Sequence, residues 1–316
     1  MKIKKAVITA AARGNRIYPV SDSVHKSMLP VIDKDGIHKP IIQIIADEAF
    51  GAGIEEICVI CAPGDNEKYI EHFKTLEAAI KFSPLSEEEK HAQEASIKKM
   101  EERITFMVQE EALGYGDAVY RAKQFVGEEP FLLLTGDYLY LSYIKEISCA
   151  KQLIDLAEIE NCSVSAVNPT PEYFVNKYGT LTGKSLLNKH GVYQINKILE
   201  KPSITQAELE LQTPGLKAGY YLCFFGMSVF TQVLFDLLGE EVKRLRGEQV
   251  LLTPSLQKLA NTEKYLAYEI KGNRYDTSKK LGLMQAQIAL GLSSNMKDEI
   301  MGMIIETVGE AVKRGA

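Results

Sequence analysis

Three kinds of polar segment, far apart in the chain, carry residue types that suit phosphate chemistry. The first follows an apolar run at residues 6–10 and reads Ala12-Arg13-Gly14-Asn15-Arg16, with Lys26 shortly after it. Small residues in a tight turn let backbone N–H groups approach a phosphate chain, and Arg16 and Lys26 add positive charge. On its own, such a segment is equally typical of a solvated turn.

The second segment type is a pair of distant aspartates. Asp137 follows the apolar run 131–134, and Asp276 lies in the segment 272–277. An aspartate at the carboxyl end of a buried strand lies where a metal–phosphate complex would dock, and Mg²⁺ is commonly held by one or two carboxylates together with substrate phosphate oxygens. Each aspartate alone is more typical of a turn or cap. Together with the basic turn, they predict one phosphate site.

The third segment is Ile198-Leu199-Glu200-Lys201-Pro202. A glutamate accepts hydrogen bonds from sugar hydroxyls, and a lysine neutralises a sugar phosphate. Strand alternation would place Glu200 and Lys201 on opposite faces, unless a bulge before Pro202 turns both inward. An exposed ion pair at a strand end is the alternative interpretation.

These segments need a scaffold, which the hydrophobic pattern predicts. Apolar runs at 6–10, 56–61, 104–109 and 131–134 indicate strands, and apolar residues at helical spacing indicate helices between them at 40–53, 66–82 and 113–125. This alternation predicts an α/β fold with a Rossmann-like, mostly parallel mixed sheet flanked by helices, with ligands at the carboxyl ends of the strands. The charged residues 86–103 show no apolar stripe and predict a solvated surface helix.

The second half of the chain has a different pattern. Short strands are predicted at 163–167, 178–182, 192–199 and 218–225, which form a β-rich portion at one end of the sheet. From residue 280 onward the pattern is helical. Its apolar stripes either close the core or pair with another subunit, which makes a homodimer or a homotetramer an expectation.

Composition and charge exclude several classes of protein. A net charge of −5 argues against a broad nucleic-acid surface. We expect a cytoplasmic protein without a membrane anchor, because there is neither a signal-peptide pattern nor an apolar run of membrane-spanning length. The five cysteines lack a disulfide or zinc spacing. The pair Cys58 and Cys61 lies in an apolar run, where a structural role is expected.

The order of the motifs resembles that of the bacterial UTP–glucose-1-phosphate uridylyltransferases, within the sugar nucleotidyltransferase group, from residue 5 to about residue 290. The motifs are the GxGTR turn, KxMLP, the uracil-recognising segment, YG, EKP, the GRY-like strand, GE(I/L)QLTDA and DxGxKxGY. In the same order, the matching segments are residues 12–16, 26–30, 109–118, 178–179, 200–202, 218–221, 247–253 and 275–282.

The resemblance implies a division of the chain and a role for individual residues. Residues 1–290 would form the catalytic domain, with a nucleotide-binding half (1–140) and a sugar-binding half (141–290), and residues 291–316 a helical extension. The implied catalytic residues are Arg16, Lys26 and Lys201. The implied nucleotide-binding residues are Ala11, Ala12, Gly14, Gln109 and Gly114. The implied sugar-binding residues are Gly179, Glu200 and Gly219, and the implied Mg²⁺ ligands are Asp137 and Asp276.

The implied reaction needs no protein nucleophile, because an oxygen of the sugar phosphate attacks the α-phosphorus of UTP in line and pyrophosphate departs. None of the five histidines falls in a matching motif. Catalysis would then rest on positioning and charge neutralisation.

Four residues depart from the family pattern: Ala12, Asn15, Pro254 and Ser278. They leave two alternatives open, an enzyme that uses another sugar 1-phosphate or dTTP, and a non-catalytic relative that binds nucleotide sugars. A dinucleotide-binding dehydrogenase is disfavoured, because the first loop lacks GxGxxG.

Overall fold

Alternating strands and helices build the first half of the molecule. The computed structural model describes residues 1–12 and 17–315. The strands of this half are β1 (Lys5–Ala10), β2 (Pro30–Ile32), β3 (His38–Pro40), β4 (Glu56–Cys61), β5 (Ile104–Val108), β6 (Phe131–Thr135) and β7 (Tyr138–Ser142). The helices are α1 (Ile41–Gly51), α2 (Asp65–Ala79), α3 (Glu87–Arg103), α4 (Tyr115–Arg121) and α5 (Lys123–Val126). The strands and helices predicted for this half are therefore present.

Longer antiparallel strands dominate the second half. Its strands are β8 (Ser163–Pro171), β9 (Gly179–Ser185), β10 (Val192–Glu200), β11 (Tyr220–Phe230), β12 (Tyr265–Glu269) and β13 (Gly272–Asp276). Its helices are α6 (Cys149–Glu160), α7 (Ile204–Glu210), α8 (Val233–Leu245), α9 (Leu252–Thr262), α10 (Gly282–Gly291) and α11 (Lys297–Lys313). The predicted β-rich portion is present, and so is the predicted helical C-terminal segment.

One nine-stranded mixed sheet has the strand order β5-β4-β1-β6-β11-β8-β12-β10-β9. Neighbouring strands in the block β5-β4-β1-β6 are parallel. From β11 onward the pairings are antiparallel, apart from the parallel pair β8 and β12. The prediction of a mostly parallel sheet therefore holds only for the first block. The hydrophobic pattern along one strand does not indicate whether the neighbouring strand runs parallel or antiparallel to it.

Strands β11, β8, β12, β10 and β9 form a second block of the sheet, and this block closes on itself. Strand β9 pairs with β10 and also with β11, at Leu222 and Cys223. The chain of pairings β11-β8-β12-β10-β9 thereby returns to β11, and the β-rich portion forms a closed group of strands beside the parallel block.

Apolar residues on both faces of the parallel block explain its continuous hydrophobic runs. In β1, Ala6 and Ile8 pack into one hydrophobic cluster, and Val7 packs into another on the opposite face. All three are fully buried. Each aliphatic side chain of the size of Val7 or Ile8 contributes about 1.5–3 kcal/mol on burial, so helices on both faces are needed to keep this strand out of water.

Helix α3 is not simply a solvated surface helix, as the charged composition predicted. Ser86 and Glu89 form a capping box at its beginning. Gln93, Ile97 and Met100 are buried, and they follow one another at helical spacing. A narrow stripe of this kind anchors a helix that is otherwise charged, and the hydrophobic pattern does not reveal it because only two of its members are apolar.

The cysteine pair and the C-terminal helices have structural positions in the scaffold. Cys58 and Cys61 are buried in different hydrophobic clusters on opposite faces of β4, so they do not form a joint metal or disulfide pair. Helix α10 closes the core through Ala286 and Leu290, whereas α11 buries only Ile300 among its residues. None of the helices in the described ranges is long and apolar enough to cross a bilayer.

Candidate functional site

Two adjoining cavities open at the carboxyl ends of β1 and β6. The aspartate cavity, of about 450 Å³, contains Asp137 and Asp276 in its wall. The Glu200 cavity, of about 220 Å³, contains Gly179 and Glu200. Lys177, Lys201, Tyr115 and Tyr138 are among the side chains that line both cavities. The two cavities therefore form one continuous cleft.

Most of the predicted site residues line this cleft. Those in the wall of the aspartate cavity are Ala11, Ala12, Lys26, Gln109, Gly114, Asp137, Lys201 and Asp276. Those in the wall of the Glu200 cavity are Gly179, Glu200 and Lys201. The parallel strands β1, β5 and β6 end at this cleft, and residues of β9, β10, β11, β13 and α9 supply the rest of its walls.

Backbone hydrogen bonds hold the two aspartates next to each other. Asp137 immediately precedes β7, and β13 ends at Asp276, which lies opposite Tyr138 in the antiparallel β7–β13 pair. The N–H and the Oγ1 hydroxyl of Thr277 both donate to the backbone oxygen of Asp137, at 2.9 and 2.8 Å. The predicted convergence of the two carboxylates follows from this small two-stranded sheet.

Lys26 is a buried cation that contacts Asp137. Its Nζ lies 2.6 Å from Oδ2 of Asp137. It begins a short 3₁₀ turn, Lys26–Met28, and the next residue, Ser27, donates its hydroxyl to the backbone oxygen of Gly136 at 2.6 Å. Gly136 has no room for a side chain, because a Cβ there would lie 2.8 Å from the oxygen of Thr9. The lysine turn and the strand end thus form one packed unit.

The second aspartate is oriented by its own turn. The N–H and Oγ of Ser278 donate to Oδ1 of Asp276, at 3.1 and 2.5 Å. Nζ of Lys279 lies 3.5 Å from Oδ2. Lys279 also contacts the hydroxyl of Tyr178. Ser278 replaces a glycine of the family pattern, and its hydroxyl supplies a hydrogen bond that glycine could not make.

Hydrogen bonds within the segment 109–118, and from it to Val250 just before α9, fix its conformation. Nε2 of the buried Gln109 donates to Oδ2 of Asp117 at 2.7 Å and to the oxygen of Gly114 at 3.1 Å. Gly114 has φ +97°, and a Cβ there would lie 2.6 Å from the backbone oxygen of Val250. Only glycine accepts that conformation and that contact without strain.

The backbone leaves the extended conformation of β10 at Lys201. Its φ is +45°, in the left-handed region. A bulge in β10 lies farther upstream, between Ile195 and Lys197, and the pairing with β9 is regular from Lys197 to Glu200. With the turn at Lys201, both Glu200 and Lys201 line the Glu200 cavity, where Nζ of Lys201 lies 3.1 Å from Oε1 of Glu200. A non-glycine residue in this region costs about 1–2 kcal/mol, and such strain is concentrated at functional sites.

Thr253 lines the Glu200 cavity and contacts Glu200, which its motif does not indicate. Its Oγ1 donates to Oε2 of Glu200 at 2.7 Å. Opposite, Gly179 lies so close that a Cβ would be 3.2 Å from the same oxygen. The next residue, Pro254, occupies the first turn of α9, where a missing N–H is tolerated. This departure from the family pattern therefore does not interrupt the helix.

Not every predicted residue can be assigned to the cleft. Gly14 and Arg16, together with Asn15, lie outside the described residues. Gly219 is not among the residues lining either cavity; its backbone oxygen accepts from the N–H of Glu172 at 2.9 Å, at the opposite end of β11 from Met227. The strand that it begins reaches the Glu200 cavity only farther along, at Phe224 and Gly226.

Comparison with known proteins gives the family. The family model for Nucleotidyl transferase matches residues 5–290. The chain belongs to this family. It is 31% identical to the UTP–glucose-1-phosphate uridylyltransferase of Streptococcus pneumoniae serotype 4, with 99% of each chain covered. It is 32% identical to UTP–glucose-1-phosphate uridylyltransferase YngB of Bacillus subtilis, with 99% of this chain and 97% of that protein covered.

Solved structures give the same picture of the fold. The chain matches a UDP-glucose pyrophosphorylase in complex with UDP-glucose at a TM-score of 0.73 and 28% identity, covering 91% of this chain and 98% of the other. It matches the UTP-bound enzyme of Acinetobacter baumannii at a TM-score of 0.74 and 26% identity, covering 96% and 99%. The nucleotidyl transferase chain thus shares a mixed α/β fold with these proteins over nearly its full length.

Proposed function

We propose that this nucleotidyl transferase moves a uridylyl group from UTP to glucose 1-phosphate, giving UDP-glucose and pyrophosphate. The observation that carries the proposal is the continuous cleft, in which two carboxylates and Lys26 lie at one end and Glu200 with Lys201 at the other. A triphosphate and a sugar phosphate are the ligands whose charges and hydroxyls suit those two ends. The names of the relatives and their coverage of the chain support the same pair of substrates.

In this proposal the nucleotide occupies the aspartate cavity. Gln109 and Gly114 would recognise the uracil, and the backbone of Ala11 and Ala12 would approach the triphosphate together with Gly14 and Arg16. Alanine in place of the family's first glycine leaves the backbone N–H available, because its methyl group does not remove the donor. Ala12 lies in the cavity wall, which supports a binding role for that backbone.

The sugar phosphate would occupy the Glu200 cavity. Glu200 and Gly179 would contact the sugar hydroxyls. Lys201 lines both cavities, so its ammonium group is suited to the phosphate that connects them. The contacts of Glu200 with Lys201 and Thr253 hold its carboxylate in one orientation, at 3.1 and 2.7 Å, before the sugar arrives. Preorganisation of this kind lowers the cost of binding.

The residues in the aspartate cavity fit Mg²⁺. Asp137 and Asp276 supply two carboxylates at one wall, and Mg²⁺ takes few protein ligands because substrate phosphate oxygens and waters complete its shell. When bound, the ion would supply positive charge at the triphosphate.

The protein's own contribution to the chemistry is positioning and charge. An oxygen of the sugar phosphate attacks the α-phosphorus, the bond between that phosphorus and the bridging oxygen to the β-phosphate breaks, and pyrophosphate leaves with the electron pair. Lys26 would neutralise the charge that develops on the leaving group. Its buried position is an advantage, because an ammonium group away from water acts more strongly on that charge.

Turnover tests the proposal directly. Purified protein is mixed with Mg²⁺, UTP and glucose 1-phosphate, and both pyrophosphate and UDP-glucose are quantified. We expect equal amounts of the two products, and loss of both in Asp137→Asn. Asp236→Asn is the matched control, since Asp236 is an exposed carboxylate that forms an ion pair with Lys123 on the surface.

Failure of turnover would be informative about the alternatives. If dTTP or another sugar 1-phosphate gives product while UTP with glucose 1-phosphate does not, the substrate assignment is wrong. If no pair reacts while UDP-glucose still raises the melting temperature, the protein is a non-catalytic binder of nucleotide sugars.

We also propose that the protein acts in the cytoplasm as a homodimer or homotetramer. Several apolar side chains of α11, including Met303, Ile305 and Val308, are exposed in the single chain, which supports self-association. Sedimentation velocity of the purified protein measures its mass. A monomer at micromolar concentration would contradict the proposed assembly.

A further inference from the structure

A buried histidine lies directly behind the lysine of the proposed site. His25 precedes Lys26 and is the N-cap residue of the turn Lys26–Met28. Its Nδ1 accepts the backbone N–H of Ser27 at 3.2 Å and lies 2.7 Å from the hydroxyl of Tyr69 on α2. The Nδ1 atom thus caps the lysine turn and also links it to helix α2.

These contacts determine the tautomer of His25. A backbone N–H can only donate, so Nδ1 must carry a lone pair, and the hydroxyl of Tyr69 must donate to it as well. The proton of the neutral ring is therefore on Nε2. That atom lies 3.8 Å from Oδ2 of Asp65. Neither atom has a hydrogen-bond partner among the described residues, although both are buried.

The surroundings keep His25 neutral. Burial has the largest effect and lowers its pKa below the ordinary value, whereas Asp65 raises the pKa and Lys26 lowers it. The charged and titratable groups around the ring are Lys26 on its own turn, Asp65, Lys68 and Tyr69 on α2, and Cys61 at the end of β4 beside Asp65. The carbonyl of Ala10 at the end of β1 also faces the ring.

We propose that neutral His25 is a positioning residue for Lys26, and that protonation of its Nδ1 releases the lysine turn. The role rests on the proposed function of Lys26. A proton on Nδ1 turns an acceptor into a donor that faces the N–H of Ser27, so the cap of the turn is lost. The doubly protonated ring also gains an ion pair with Asp65, which stabilises the protonated form.

The sign of the pH dependence follows from the direction of the pKa shift. Because the pKa of His25 is lowered, the ring is neutral at neutral pH and the lysine turn is intact there. As the pH falls through the pKa of His25, the protonated fraction rises and the contact between Lys26 and Asp137 is lost. Turnover is therefore expected to decline on the acid side.

His25→Asn is the informative variant. The side-chain oxygen of asparagine accepts a hydrogen bond near the position of Nδ1, asparagine is a good N-cap, and it does not titrate. We expect His25→Asn to keep kcat and the KM for UTP within about twofold of wild type near pH 8, whereas His25→Leu lowers kcat by roughly 10- to 100-fold at every pH, since small misplacements of a catalytic group have effects of this size.

The deciding measurement is the ratio of wild-type kcat to His25→Asn kcat between about pH 5 and about pH 8.5, the range in which histidine titrates. Titration of the substrate phosphates affects both proteins and cancels in the ratio. We expect a constant ratio at high pH and a decrease approaching about tenfold per pH unit below the pKa of His25, as for a single essential titrating group. A ratio that does not change with pH overturns the proposal.

A second histidine provides the control. His72 on α2 is also partly buried and burial lowers its pKa, but its ring packs edge-on against Phe73 rather than against the lysine turn. His72→Asn should therefore follow the wild-type profile. If it removes the acid-side decline as His25→Asn does, the effect does not belong to the contact with Ser27.

An NMR titration separates this inference from the proposed function, because it needs no turnover. The ring nitrogens of His25 and the side-chain nitrogen of Lys26 are followed with pH in the substrate-free protein. We expect a neutral Nε2–H tautomer, and a Lys26 resonance that shifts with the midpoint of His25. A Lys26 resonance that does not shift as His25 titrates overturns the positioning role, whether or not the protein turns over substrate.

Discussion

Gly179→Ala probes the sugar end of the cleft with a single methyl group. Gly179 begins β9 and pairs with Glu200 in β10. A Cβ built there lies 2.9 Å from Cδ2 of Phe224 and 3.2 Å from Oε2 of Glu200. Both neighbours are side chains, so they can shift by some tenths of an ångström while the strand pairing is kept.

The geometry sets the expected size of the effect. Overpacking of this kind costs about 1 kcal/mol of stability when only side chains have to move, which is the low end of the usual range. A displaced Glu200 loses a charge-assisted hydrogen bond to a sugar hydroxyl, which contributes roughly 1.5–3 kcal/mol. Because Glu200 is partly open to water, we take the lower value, which corresponds to about a tenfold decrease in kcat/KM for glucose 1-phosphate.

The assay varies glucose 1-phosphate at saturating UTP and measures pyrophosphate release. We expect the decrease in kcat/KM for the sugar phosphate with little change in the binding of UTP, which occupies the other cavity. Gly302→Ala is the matched control, because nothing lies within 4 Å of a Cβ at that position. Wild-type kinetics in a folded Gly179→Ala protein would refute the placement of the sugar beside Gly179 and Glu200.

Three further perturbations follow from other contacts. Thr253→Val removes the 2.7 Å hydrogen bond to Glu200 and should raise the KM for glucose 1-phosphate about threefold to tenfold, with Thr253→Ser near wild type in the same assay. Lys26→Met should lower kcat by about 10²–10³ with little change in the KM for glucose 1-phosphate; an unchanged kcat would remove Lys26 from the chemistry. Burial raises the pKa of Asp47 to about 6, so its ionised form opposes folding above that pH. Asp47→Asn should therefore stabilise the protein by about 1 kcal/mol at pH 8, a value discounted because the carboxyl is a third exposed, and the gain should vanish by about pH 4 in denaturant titrations.

The end of the cleft that binds phosphate in our proposal was predictable because it depends on strand ends. A buried apolar run followed by a polar residue places that residue at the edge of the sheet, whatever the rest of the chain does. Asp137 could be located in this way, and Lys26 only as part of the polar segment that follows β1. Asp276 could be proposed as a second carboxylate but not located, because strand β13, which brings it beside Asp137, has no apolar run.

Other features depend on tertiary contacts that no local pattern records. The left-handed backbone of Lys201 decides where its side chain goes, and nothing in the residue type predicts a positive φ. No motif pointed to His25, because its neighbours Asp65 and Tyr69 lie on helix α2, 40 and 44 residues farther along the chain. The direction of β11 beside β6 is likewise a property of the packed sheet.

The convergence of Lys26, Asp137 and Asp276 on one metal-bound triphosphate is tested most directly by a crystal structure of the protein with UTP and Mn²⁺. Anomalous scattering locates the manganese without reference to the protein density. Our account predicts a peak shared by the carboxylates of Asp137 and Asp276 and by oxygens of the triphosphate, with Lys26 against the same phosphates. A triphosphate bound elsewhere, or manganese away from both carboxylates, would contradict it.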